Sequence, residues 1–253
     1  MRITVSQTLD GLSRAFTVRD IMIHQDQLTR ASTPEHAAAL FAEPECDFDV
    51  IPLPESGRIS AYMYKGSGKL KQVAPPALVS DGTTILDLLD IFHKSQPFAF
   101  VLAKNAICGF VHFSDLNEPL VKLPFFVLME RVEAVIWSMI ETALNPTVLS
   151  EVFDAKRCER IEERKRDAKR KNLDRGYQGA LYMDDILTFA CHRQFISLTP
   201  EDKDAILAVR SKVFHADKPL VDIEDDLKIM IRARDACVSI FEDAEVGKRP
   251  TLY

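Results

Sequence analysis

No two cysteines of this chain stand in a C-x-x-C pair. The five, Cys46, Cys108, Cys158, Cys191 and Cys237, are odd in number and widely spread, which argues against a disulfide framework and against a zinc site. Uncharged apolar runs of about 18 residues, the length that a membrane-spanning helix needs, are also missing. The most apolar stretch, Phe98 to Val111, is interrupted by Lys104 and Asn105. Met1 to Gly11 has no apolar segment after Arg2, so no secretory signal is expected, and the expected location is the cytoplasm. There is no Walker A string, no G-x-G-x-x-G, no G-x-S-x-G and no H-E-x-x-H, which removes the motif-based case for the enzymes that carry them. His24, His36, His93 and His192 are isolated from one another, and no metal is expected.

What the chain does have is length and apolar content. Its 253 residues, 47% of them hydrophobic, are enough for two compact domains. The net charge of −6 hides a basic stretch: ten Lys and Arg against five Asp and Glu between Lys156 and Arg175. Two readings of that stretch stand. It is a solvated helix face, or it is a surface that contacts phosphate through Arg164, Lys165, Arg166, Lys169 and Arg170.

The first half alternates short strands with helices. Leu28 to Ala31 reads as a strand, and Ser32-Thr33-Pro34-Glu35 as a capped helix start with Pro where its missing N–H costs nothing. Phe48 to Leu53 reads as a strand, Ser56-Gly57 as a turn and Arg58 to Tyr64 as its hairpin partner, closed by the glycine-containing loop Lys65 to Lys69. The order then recurs about 50 residues on: strand Leu78 to Ser80, helix Ile85 to Phe92, strand Phe98 to Leu102, turn at Asn105, strand Ile107 to Phe113, then a helix start at Ser114.

Gly109-Phe110-Val111-His112-Phe113-Ser114-Asp115-Leu116 carries a resemblance. It is similar to the closing segment of CBS units, where a strand ends in Gly, two apolar residues, Thr or Ser, two variable residues and Asp. The resemblance implies a tandem pair of β-α-β-β-α units over residues 15–68 and 75–122 and a regulatory adenine nucleotide (AMP, ADP or ATP) as ligand. Asp115 would accept from ribose hydroxyls. Ser114, Gly109 and His112, which stands where the hydroxyl residue is expected, would line the same cleft. Aligned on Ser60 to Gly66, the first unit has Ser60 for the glycine, Met63 for the hydroxyl residue and Gly66 for the acid, so its own ribose contact is expected to be lost. Read from the residues alone, Asp115 is equally a helix cap.

From Leu123 the periodicity is helical. Apolar residues from Phe125 to Ile140, a charged helix or helix pair from Val148 to Leu173, and helices starting at Leu181, Thr199 and Asp222 read as an antiparallel bundle over 123–242, with a tail at 243–253. The fold class is therefore α+β, an N-terminal repeat pair followed by an all-α bundle. In the fourth helix, Arg210-Ser211-Lys212-Val213-Phe214-His215 resembles the motif of HEPN domains, in which His follows Arg after a short gap. The early helix with Glu130 and Glu133 and the string Leu181-Tyr182-Met183-Asp184-Asp185-Ile186 are similar in order to that family.

That second resemblance implies a metal-independent endoribonuclease acting as a homodimer, with Arg210, His215 and Ser211 at the site. His near its ordinary pKa can move a proton from or to the ribose 2′-OH or the leaving 5′-oxygen, and Arg can stabilise the phosphorane with a planar fork of donors. The alternative is a nucleotide-sensing protein without catalysis, whose helical half mediates dimerisation or binds a partner.

Overall fold

In a computed structural model, residues 11, 15–65, 67–94, 96–173 and 175–246 are described, the side chains of residues 224 and 246 excepted. Gly66, Asp174 and the tail residues 247–253 lie outside the described residues. Strands fill the first half and helices the second, as an α+β chain. The chain divides into two compact units. One holds the described residues up to Val121 together with Val221–Glu224; the other holds Lys122–Leu220 and the chain from Asp225.

The first unit contains β1 (Ile23–His24), α1 (Pro34–Phe41), β2 (Val50–Glu55), β3 (Arg58–Tyr64), β4 (Leu70–Gln72), β5 (Leu78–Ser80), α2 (Ile85–Lys94), β6 (Phe98–Ala103) and β7 (Ala106–His112). The Thr33 hydroxyl accepts from His36 N–H and Pro34 opens α1, as the residues predict. Ser56 and Gly57 both adopt positive φ, which gives a tight β2–β3 hairpin.

Two sheets form, in the orders β2-β3-β4 and β1-β7-β6-β5. Their ladders repeat with a constant offset. Val50 pairs with Tyr64 and Phe98 with His112; Glu55 pairs with Arg58 and Ala103 with Ala106, so each pair lies 48 positions before its counterpart. The bulge recurs at the same offset, after Leu53 in one hairpin and after Val101 in the other. The outer strands obey the same rule crosswise. β4 pairs with the first repeat's β3 (Ala61 with Gln72, Tyr62 with Lys71), and β1 pairs with the second repeat's β7 (Gly109 with His24, Phe110 with Ile23). Each repeat thus contributes its leading strand to the sheet of the other.

This register corrects the alignment drawn from sequence by one residue. The counterparts of Gly109, His112 and Asp115 are Ala61, Tyr64 and Ser67, not Ser60, Met63 and Gly66. A slip of one residue exchanges the two faces of a strand, so the difference is not cosmetic. The bulge also explains why strict alternation fails in β3. Ile59 and Tyr62, three apart, face the same cluster, while Ala61 and Met63 face another under α1 with Ile51 and Leu53.

Leu28 to Ala31, expected as a strand, makes one such bond: Ala31 N–H donates to Pro52 O at 3.2 Å. The N–H that would continue the ladder on that side belongs to Pro52, which has none. β4 was not expected, since Leu70-Lys71-Gln72 is short and exposed.

The two repeats share a core of aromatic rings. Tyr62 meets Phe98 edge-on at 5.4 Å, Phe98 stacks on Phe110 at 5.7 Å, and Phe100 meets Phe110 at 5.5 Å. Asn117 ties the late segment into this unit: its Nδ2 donates to Val221 O at 2.7 Å, and its Oδ1 accepts from Val221 N–H at 3.0 Å.

The second unit contains α3 (Lys122–Ile140), α4 (Pro146–Val152), α5 (Ala155–Arg170), α6 (Met183–His192), α7 (Pro200–Phe214) and α8 (Glu224–Val246), which runs four residues past the expected end of the bundle. Phe125, Leu128, Met129, Val132, Ile136 and Ile140 form one buried stripe on α3, at the spacing a core-facing helix requires. That helix packs against α6 and α7. No helix among the described residues is long and apolar enough to cross a membrane.

Candidate functional site

β7 ends at His112, which caps a short 3-10 turn, Phe113–Asn117. Its backbone N–H donates to Asp115 Oδ2 at 2.7 Å, and its Nδ1 lies 2.8 Å from Ser114 Oγ. Asp115 is therefore the partner of the cap at His112 and not the cap itself, and this bond occupies only one of its oxygens. Burial pushes the Asp115 carboxyl above the usual carboxylate range, and the bond from His112 N–H offsets this in part. The other imidazole nitrogen of His112, Nε2, is buried and meets no hydrogen-bond partner among the described residues. It stands 3.7 Å from Oδ2 of Asp49, the residue that precedes β2. The structure thus brings together three of the expected residues, His112, Ser114 and Asp115, and adds Asp49 from the other repeat.

Gly109 belongs to a different feature. A Cβ at this position would stand 2.7 Å from Met22 Sδ and 2.8 Å from the Ile23 carbonyl, so the glycine lets β1 cross β7. At the corresponding end of the first repeat, Tyr64 stacks on Phe98 at 5.9 Å, and Ser67 replaces the acid. That end has no carboxylate at the equivalent position.

In the helical unit Arg210 lies on α7, 3.7 Å from Glu133 of α3, with its guanidinium 4.7 Å from the Phe214 ring centroid. Its Nε is buried without a hydrogen-bond partner among the described residues. His215 lies beyond the helix. α7 stops at Phe214, and His215 is extended at φ −113° and ψ 116°. A residue distant in sequence accounts for this: the Lys122 ammonium takes the carbonyls of His215 and Lys218, both at 2.7 Å, so these oxygens are satisfied without further helical turns. The expectation that Arg210 and His215 share one helix is corrected accordingly. Ser211 Oγ accepts from Lys218 Nζ at 2.8 Å. The His215 side chain is exposed, and Phe126 and Phe214 form a half-exposed pair beside Arg210, 5.0 Å between centroids.

The five basic residues singled out on α5 do not make one surface. At 100° per residue, Arg164, Lys165, Arg166, Lys169 and Arg170 are spread around most of the helix. Arg164 points to α6, where it pairs with Asp185 at 3.3 Å and lies 4.1 Å from the centroid of Tyr182. Lys165 covers Tyr177, whose hydroxyl burial and a bond to Glu162 push up to about 12. Arg170 pairs with Asp167. Arg166 and Lys169 are exposed. Asp49 was not singled out from the sequence and carries no motif, whereas Tyr182 stands in the string Leu181 to Ile186 without a role of its own there. The part of each comes from what the fold sets opposite it.

No family model matches this chain, and no curated protein matches it. Among solved structures, it is similar to the CBS domain of a bacterial CNNM/CorC family Mg2+ transporter, at 18% identity and a TM-score of 0.35, over 46% of this chain and 83% of that one. The same domain in complex with the inhibitor IGN95a gives 18% identity and 0.34, over 46% and 84%. A likeness this slight adds nothing to the ladder register, on which the tandem repeat rests.

Proposed function

We propose that the repeat pair is a regulatory module that senses an adenine nucleotide (AMP, ADP or ATP) at the end of β7, and that the helical unit is its output. The observation that supports this is the buried Nε2 of His112, left without a hydrogen-bond partner 3.7 Å from Asp49 of the other repeat. A group of this kind is costly unless something bonds to it. In this reading Asp115 takes the ribose hydroxyls, and Ser114 and His112 face the phosphate. A ligand that touches both repeats regulates only if it binds one arrangement of them more tightly than another.

Differential scanning fluorimetry with AMP, ADP and ATP tests the reading, since a ligand of the folded state must raise the melting temperature. A rise that is lost in Asp115→Asn is expected. No rise with any of the three, or one unchanged by the substitution, would overturn it.

A second reading gives the output a chemistry: metal-independent cleavage of RNA by a homodimer through Arg210, His215 and Ser211. It is supported by the exposed imidazole of His215 and the unpartnered Nε of Arg210. The 2′-oxygen would attack phosphorus as its proton leaves, the 5′-oxygen would depart with a proton, and a 2′,3′-cyclic phosphate would remain. The check is incubation with labelled RNA in EDTA, with and without nucleotide. Intact RNA for the wild type, or cleavage that persists in Arg210→Ala and His215→Ala, refutes it and leaves partner binding as the output.

A further inference from the structure

Between α5 and α6 lies an open cleft of about 500 Å³ lined by charged residues and one tyrosine. Its floor is Asp185, 3% exposed and the only buried charged residue among those described. Oδ1 of Asp185 accepts from Arg157 Nε at 2.7 Å; Oδ2 accepts from the Tyr182 N–H at 2.9 Å and from Arg164 at 3.3 Å. Asp184 is held by Arg157 and, at 2.6 Å, by Lys203. Both carboxylates are thus saturated from within the unit. Arg157, Arg164 and Lys203 exceed them by one positive charge, and at the rim Arg160 is offset by Glu163.

Burying a carboxylate is a weak device for stability, because desolvation consumes most of the gain from pairing. What it does well is fix direction. Two guanidiniums are clamped by one edge each, which leaves their remaining N–H groups aimed away from the acid. Tyr182 sits at the mouth, 67% exposed although it is aromatic, with the Arg164 guanidinium on one face of its ring. An exposed ring held flat by a cation is a platform with its second face open.

We infer that this cleft binds the nucleotide unit of single-stranded RNA, the base stacked on the open face of Tyr182 and its phosphate on Arg157 and Arg160. Stacking on an aromatic ring does not depend on base identity, and arginine suits phosphate through paired donors. The site shares no residue with the one proposed at Asp115 and does not require cleavage. It rests on the second reading above only for the choice of polymer, since a free mononucleotide presents the same base and phosphate.

The test is fluorescence anisotropy of the full chain with a 5′-labelled octa-adenylate ribonucleotide in EDTA, with unlabelled AMP as competitor. Wild type, Tyr182→Ala, Tyr182→Phe, Arg160→Ala and Asp115→Asn are compared after circular dichroism has shown each to be folded at the assay temperature. We expect Tyr182→Ala to weaken binding at least fivefold, the loss of one stacked base, and Tyr182→Phe and Asp115→Asn to bind as the wild type does. Competition by AMP at the oligomer's own affinity identifies a mononucleotide site of the same chemistry, and failure to compete identifies the polymer. Binding by Tyr182→Ala equal to wild type, loss with Asp115→Asn instead, or no binding at all overturns the assignment. In none of these cases does the outcome decide whether AMP raises the melting temperature through Asp115.

Discussion

Nε2 of His112 stands 3.7 Å from Oδ2 of Asp49, and the two side chains come from different repeats. The contact is longer than a hydrogen bond, so Asp49 shapes the electrostatics beside the imidazole without satisfying it.

In the proposed nucleotide reading, that placement makes Asp49 a brake on polyanions. With a phosphate seated at His112, the carboxylate repels it by about 1 kcal/mol, the value for unit charges about 4 Å apart in bulk water. Asp49→Asn is expected to tighten ATP about three- to tenfold and AMP by less. Isothermal titration of both ligands measures the difference; equal affinities before and after the substitution place the phosphate elsewhere.

Asp115 separates capping from charge. Its folded pKa is raised by burial, so the ionised form destabilises the fold fully above that pKa, and the penalty vanishes as pH falls below the ordinary carboxylate value. Asn can still accept the bond from His112 N–H but carries no charge. Asp115→Asn should therefore melt higher than wild type at pH 7, with the gain fading towards about pH 4. Thermal melts across that range check it, and a lower melting temperature at neutral pH contradicts it.

Gly109→Ala should destabilise the unliganded protein by about 1–3 kcal/mol, the usual cost of adding a methyl group where no space exists. The new Cβ meets Met22 and the backbone of β1, not a ligand. Chemical denaturation without nucleotide suffices to measure it. A stability equal to wild type would show that β1 is free to move aside.

Acid should loosen the helical unit through identifiable pairs. Burial pushes the Asp184 carboxyl up, but bonds from Lys203 and Arg157 outweigh it and leave its pKa lowered; Asp202 is lowered by Arg232 and Thr199. The stability these pairs give is complete above the unfolded value of about 4 and is lost as pH falls through the lower folded values. Asp184→Asn with Asp202→Asn is expected to flatten the fall in melting temperature below pH 4. A slope unchanged in the double variant assigns acid lability to other carboxylates.

Local chemistry was legible where one short stretch decides the outcome. Thr33-Pro34 sets a helix start and Ser56-Gly57 a hairpin whatever lies elsewhere, and the stripe from Phe125 to Ile140 names its own buried face. Pairing at a distance was not. Leu70-Lys71-Gln72 is polar and short, and only its partner β3 makes it a strand. Leu28 to Ala31 is apolar enough for a strand but faces Pro52. The register of the first repeat was lost at a bulge that alternation cannot reveal. His215 continues the helical pattern of α7, and what removes it from the helix is Lys122, some 93 positions earlier. The site followed the same division: Asp115 and Ser114 lie in a recognisable string, whereas Asp49 enters only when the second repeat is folded against the first.

The crossed outer strands say something about ancestry. A single repeat would hold a leading strand that its own sheet does not use and would lack the strand that its own hairpin needs. Two separate copies remedy both defects at once by trading strands, with the 48-residue offset becoming a twofold axis between identical chains. Joining such copies end to end would keep every backbone bond and free each to diverge. Asp115 at the position that Ser67 holds in the first repeat is what that divergence leaves: one end keeps a carboxylate and the other does not.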